Sequence, residues 1–374
     1  MAVDPPPLGR TVEAAVSNAI LVRAPNWVGD AVMSLPFFAS LAQNAPDAKI
    51  TCLCRRPLVP IYETASGLNR IIPLDDSVGA RGWRSVLRNA AHLRREDFDL
   101  GFCLPPSFGS ALMFWWGGVP RRVGHATDRR RFLLSDSLPL PPEGQRPHRT
   151  ESYLSLLDCV WPQAKKERAL QFRPSPQAED VAAKLWTGHR LDEAGPVLAI
   201  APGTAQPARR WFPDRFAALA RRWVESTGGA VVFVGSPSES DLCRSISEQT
   251  GTEAVRNLAG AGDIAVAAAL LRRADAFVGN DSGLAHLAAA VATPTIVISG
   301  PGDPSEIAPY SPRAVSVKRQ LFCSPCHKGT CWRTDKPLEC LDLVSVDDVW
   351  ERVEEIFRGP ASAADRDGTP SAST

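Results

Sequence analysis

Residues 19–30 read Ala-Ile-Leu-Val-Arg-Ala-Pro-Asn-Trp-Val-Gly-Asp. The opening residues form a short apolar run without alternating polar positions, the pattern of a strand buried on both faces. Proline and glycine then break the run, and Asp30 starts a helix expected over residues 30–43, with Pro36 weakening its middle. A buried strand passing through a glycine-bearing loop into a helix is the first unit of a parallel α/β sheet.

The same alternation continues along the chain. Further strands are expected at 49–54, 70–74 and 100–104. Helices are expected at 83–95, with an apolar stripe at Val86, Leu87, Ala90 and Leu93, and at 107–116 and 153–160. Residues 138–149 read as a proline-rich loop. Pro174 and Pro176 mark a linker region over 171–195. A second series then starts, with strands at 197–201, 230–235, 276–279 and 295–299. Its helices are expected at 214–226, 241–249, 264–272 and 284–291, and an amphipathic helix at 346–358 closes the fold. The fold class is therefore α/β, with two Rossmann-like doubly wound domains, 18–170 and 196–345, facing across a cleft. Residues 1–17 read as a flexible leader and 359–374, rich in Ala, Ser, Pro and Asp, as a disordered tail.

Composition narrows the function. The 374 residues carry 42 Lys and Arg against 41 Asp and Glu, a net charge of +1. Proteins that grip nucleic acid through many phosphates carry a basic excess, so no nucleic-acid partner is expected. The longest apolar run falls well short of the about 20 residues needed to span a bilayer, and the start of the chain lacks the pattern of a secretory signal. A cytoplasmic location is expected, and with it nine reduced cysteines.

Four strand-to-loop junctions hold the chemistry. Asp30 follows the first strand, where it serves either as a helix cap or as a general base toward an acceptor hydroxyl; sequence allows both. After the strand at 197–201, Gly203 and Thr204 offer an N–H and a hydroxyl to a phosphate, and Arg209 or Arg210 a forked cation. The lysine of a Walker loop is absent. Glu239, after the strand at 230–235, is placed to accept from ribose hydroxyls or simply to open a helix. Asp281, Ser282 and Gly283 begin another helix, a natural anion site, although Asp281 fits a helix cap equally well. His286 follows in the first turn.

Taken together, the WVGD of 27–30, the PGT and RRWFP of 202–213, the GSPSE of 235–239, the RNLAG of 256–260 and the NDSGLAHLAAA of 280–290 resemble glycosyltransferase family 9, the lipopolysaccharide heptosyltransferases, in particular its heptosyltransferase II branch. The resemblance covers nearly the whole folded chain. It implies a GT-B fold and inverting, metal-independent transfer of L-glycero-D-manno-heptose from ADP-heptose to the inner core of lipopolysaccharide, with no cofactor required. It places Asp30 as the catalytic base, and Thr204 and Arg209 at the pyrophosphate, Arg209 standing where the family often has lysine. Glu239 falls at the ribose, and Asp281, Ser282 and Gly283 at the donor's phosphates and heptose.

The acceptor would be the anionic lipid A–core. From Arg81 to Arg131 the chain has ten arginines against four acids, next to the aromatic end of the helix at 107–116. Arg121, Arg122 and Trp27 are therefore expected to touch the acceptor, with peripheral contact at the inner face of the cytoplasmic membrane. A solvated basic face is the plainer reading. Cys323, Cys326, Cys331 and Cys340 have the makings of a structural zinc site, with free thiols or a disulfide as the other readings. Two further functions stay open: a family 9 transferase with another nucleotide sugar or acceptor, and a non-catalytic nucleotide-binding module. A dehydrogenase is disfavoured, because neither first loop contains GxGxxG.

Overall fold

Alternate residues of the first strand feed two cores, which is why its run needs no polar positions. In β1 (Ala19–Arg23), Ile20 and Val22 enter one core and Leu21 another. The computed structural model describes residues 18–75 and 82–358. The first sheet adds β2 (Lys49–Cys54), β3 (Arg70–Pro73), β4 (Leu100–Cys103), β5 (Arg121–His125) and β6 (Asp136–Leu138) in the order β3-β2-β1-β4-β5-β6. The second holds β7 (Val197–Ala201), β8 (Ala230–Phe233), β9 (Val255–Asn257), β10 (Ala276–Asn280), β11 (Thr295–Ile298) and β12 (Ala314–Val317) in the order β12-β11-β10-β7-β8-β9. Neighbouring strands pair in parallel throughout. Counted from its own first strand, the second sheet has the order of the first. In both, strand order reverses beside that first strand, between β1 and β4 and between β7 and β10, which is where open α/β sheets bind ligands.

The two halves share a core. Ile20, Phe37 and Phe102 pack in the same cluster as Ala199, Phe277 and Leu287. The far face of the second sheet has its own core of Leu198, Ile200, Trp211 and Trp223. The closing helix, Val346–Arg358, inserts Val349, Trp350 and Val353 there.

Several expectations change. The helix expected at 30–43 is two helices, Val28–Met33 and Leu35–Asn44, meeting at Ser34. Pro36 lies in the first turn of the second, where a missing N–H costs nothing. The expected linker contains the helix Pro176–Gly188. Ser175 Oγ accepts the Ala178 N–H at 3.3 Å, and Ala178, Ala182 and Trp186 are buried. Pro176 begins that helix rather than breaking the chain. β5, β6, β9 and β12 escaped the sequence reading; arginine or aspartate interrupts the short runs of the first three. The leader, the tail and Arg81 lie outside the described residues. No helix among the described residues is long and apolar enough to cross a membrane.

Phe277 is fully buried in the shared core. Phe277→Ala should destabilise the protein by about 3–5 kcal/mol, read as a lowered midpoint in urea denaturation. An unchanged midpoint would contradict that placement.

Candidate active site between the two sheets

The switch-point loops of the two sheets meet through two glycines. Helix Val28–Met33 leaves β1 and helix Gly283–Ala290 leaves β10. A Cβ on Gly29 would lie 2.7 Å from His286 Cδ2, and one on Gly283 would lie 2.5 Å from Val28 Cβ. Neither glycine has an unusual φ, so close approach is what excludes a side chain. The contact sets Asp30 against the loop carrying Asp281 and Ser282.

Asp30 is half-buried in the first turn of its helix. It is not the cap. Trp27 holds that place with extended backbone and no side-chain bond, and its own ring is 63% exposed. The loop is braced from beneath by Arg23, whose buried guanidinium donates to the Ala24 carbonyl and to Asn26 Oδ1. Arg149 Nη1 stands 3.8 Å from Asp30 Oδ1. Burial raises the Asp30 pKa above the usual carboxylate range, while Arg149 and then Arg209 pull it back. Arg149 opens the helix Arg149–Ser155. Sequence reading missed it because it ends a proline-rich stretch; the available signal was Glu151 in the first turn after Pro147.

On the facing side, Arg209 Nη1 is 3.0 Å from Asp281 Oδ2. Asp281 is only 6% exposed. Burial raises its pKa, Arg209 lowers it, the charge of Asp30 raises it again, and His327 lowers it. Ser282 caps the next helix with extended backbone, and its hydroxyl takes no part in the cap. Asp281 is therefore a buried ion-pair partner rather than a helix cap. Buried polar atoms are ordinarily paired. Six side-chain atoms among the described residues are not, and four belong here: Ser282 Oγ, Arg209 Nε, Gln206 Oε1 and His286 Nδ1. Burial drives the His286 pKa down to about 3, so its ring is neutral.

Gly203 allows Glu239 to close over the same loop; a Cβ there would lie 2.0 Å from Glu239 Oε1. Glu239 Oε2 accepts from Ser236 N–H at 2.7 Å and Ser236 Oγ at 2.8 Å, so the helix-opening reading of this residue is realised as a capping box. Thr204 is buried. Arg210 is exposed and donates to the Thr204 carbonyl at 3.0 Å, so Arg209 is the arginine that reaches Asp281. Asn280, fully buried, clamps the loop: its Nδ2 donates to the Pro202 carbonyl at 2.7 Å and its Oδ1 accepts the Trp211 N–H at 2.9 Å.

Residues 86–336 match the model of glycosyltransferase family 9 (heptosyltransferase). The chain is 31% identical over 306 residues to lipopolysaccharide heptosyltransferase 2 of Escherichia coli K12, covering 80% of this chain and 87% of that protein. The chain belongs to glycosyltransferase family 9. Its structure superposes on that of the E. coli ADP-heptose LPS heptosyltransferase II with a TM-score of 0.73 and 26% identity, over 91% of this chain and 98% of the other. A family 9 protein from Veillonella parvula shares the fold at a TM-score of 0.78 and 20% identity, over 91% and 97% of the two chains. The two facing α/β sheets are thus a GT-B fold, and the site lies in the GT-B cleft.

Within this glycosyltransferase, Arg121 and Arg122, the two arginines expected at the acceptor, do not join the cluster around Asp30. Arg121 and Arg122 begin β5, and Arg121 pairs in register with Leu100, itself paired with Ile20. They lie at the amino end of the sheet, away from the Asp30 edge. Arg121 bonds Asp136 at 3.1 Å and the Cys159 carbonyl at 2.9 Å, while Arg122 donates to the carbonyls of Val119, Pro120 and Leu133, each at 2.7 Å. Arg130, in the same basic run, is wholly buried and holds the loop after β4 through the carbonyls of Pro105 and Ser107. The four clustered cysteines line one cavity of about 20 Å³. Their thiols carry no disulfide, and no group of three or more His, Cys, Asp or Glu among the described residues is arranged to hold a metal ion.

Gly283→Ala should cost about 1–3 kcal/mol through overpacking against Val28. Adding Val28→Ala should return part of that loss. Thermal unfolding of both variants checks the contact; a single variant as stable as the parent would contradict it.

Proposed function

We propose that the chain transfers L-glycero-D-manno-heptose from ADP-heptose to the inner core of lipopolysaccharide, with inversion at the anomeric carbon. The observation that carries this reading is the opposition of Asp30 to the Arg209–Asp281 pair across the Gly29–Gly283 crossing. An inverting transfer needs a base on one face of the sugar and charge stabilisation on the other.

In this reading Asp30 takes the proton of the acceptor hydroxyl as its oxygen forms the new bond to the anomeric carbon. The bond from that carbon to the diphosphate breaks, and ADP departs with the electron pair. Arg209 and the N–H groups at Ser282 and Gly283 offset the charge that grows on the leaving phosphate. Thr204 supports the diphosphate, Glu239 takes the ribose hydroxyls, and the buried Asp281 orders Arg209 and the heptose. The reading requires no cofactor, because cations of the chain itself meet the leaving group.

Trp27, exposed one helical turn from Asp30, suits contact with the acceptor sugar. Trp115, Trp116 and Phe132 are exposed on the first half; Arg94 donates to the Trp116 carbonyl at 2.7 Å, and Arg129 and Arg131 adjoin Phe132 in sequence. Aromatic and cationic side chains on one half fit a cytoplasmic enzyme working at an anionic, lipid-anchored acceptor on the inner membrane face.

Purified protein, ADP-heptose and a panel of truncated lipopolysaccharide acceptors test this. ADP release should depend on acceptor, with a product mass gain of one heptose. Asp30→Asn should lower kcat by about 10²–10⁴-fold while donor still binds. Donor that fails to bind would overturn the sugar-nucleotide assignment. Binding without turnover on any acceptor would overturn the acceptor.

A further inference from the structure

We infer that Arg149 is a positioning residue for Asp30, and that contacts from the second half of the chain hold Arg149 in place. The inference rests on the reading of Asp30 as the base.

Two sets of bonds fix the helix that Arg149 opens. Thr150 Oγ1 donates to the Met33 carbonyl at 3.2 Å, tying it to the last residue of the Asp30 helix. Other bonds cross to the second half, while Arg168 of the first half also holds Glu151 of this helix, at 2.7 and 3.1 Å. Gly144 N–H donates to Glu306 Oε1 at 2.7 Å, and Glu306 is buried although acidic. His148 Nδ1 accepts the Thr150 N–H at 3.2 Å, which leaves Nε2–H to donate to the Ala308 carbonyl at 2.8 Å. The His148 ring lies 4.7 Å from that of Tyr310, whose hydroxyl donates to Glu151 Oε1 at 2.6 Å. A strap at 306–310 therefore holds the residues on either side of Arg149.

The groups facing Asp30 sort themselves. From its own half come Arg149 and Tyr153, and from the second half Arg209 and Asp281, with the His286 ring against Gly29. Arg209 is engaged by Asp281 at 3.0 Å. Burial holds both His148 and His286 below the ordinary histidine range, so neither competes as a cation near neutral pH. Of the two arginines, Arg149 lowers the Asp30 pKa the more, and it stands 3.8 Å from the carboxylate. Parting the halves would withdraw 306–310 and release Arg149 from its place beside Asp30.

The test is the pH profile of kcat at saturating donor and acceptor. Arg149→Ala should move the acid limb up by about one pH unit, with most of the lost rate returning at high pH. Arg149→Lys should keep most of the parent limb. Tyr310→Phe should shift it in the same direction by less, with donor KM unchanged, and it carries the test if Arg149→Ala does not fold. An unmoved limb in these variants, or a loss of rate equal at all pH values, would overturn the inference while leaving Asp30 as base. Full turnover by Asp30→Asn would overturn the base reading itself, and this inference with it.

Discussion

Two helix starts can approach this closely only where one side chain is missing at each point of contact. Gly29 makes room for the His286 ring and Gly283 makes room for Val28. The rest of the site depends on this reciprocal arrangement. Each glycine lies next to the polar residues of its own switch-point loop, so packing the glycines brings Asp30 toward Asp281, Ser282 and Arg209. The shared core of Ile20, Phe102, Ala199 and Phe277 supplies the burial that keeps the halves together.

Burial of that contact also sets the electrostatics. Two carboxylates withdrawn from water near each other would be costly unless cations joined them, since removing one member of a buried pair costs about 3–5 kcal/mol. The chain supplies one arginine for each, Arg149 at 3.8 Å from Asp30 and Arg209 at 3.0 Å from Asp281. The looser pair leaves the Asp30 carboxylate room to take a proton. The tighter pair holds Arg209 in place, with its Nε still unpartnered. A diphosphate arriving at the start of helix Gly283–Ala290 would compete with Asp281 for that guanidinium. In the proposed reaction this is preorganised stabilisation, with the cation set where charge would develop.

Much of this was legible in the sequence, for identifiable reasons. β1, β7 and β10 are continuous apolar runs, so the loops behind them, with Asp30, Thr204 and Asp281, could be placed at once. The arginine-bearing β5 and β9 gave no such signal, so nothing in the sequence put Arg121 and Arg122 at the amino end of the first sheet. Arg130 looked like part of a solvated basic face, yet it is an internal brace, because carbonyls of a neighbouring loop satisfy its guanidinium. Gly29 read as a break after the first strand, and the residue it makes room for, His286, comes from the other half of the chain. Arg149 was out of reach for the same reason: nothing local ties residue 149 to residue 30.

The most direct test of the account is a structure of the protein with ADP bound. The account predicts the diphosphate at the start of helix Gly283–Ala290, in contact with Arg209, the ribose hydroxyls on Glu239, and Asp30 facing it across the glycine crossing. A diphosphate bound elsewhere, with the Arg209–Asp281 pair undisturbed and Glu239 still engaged only by Ser236, would contradict it.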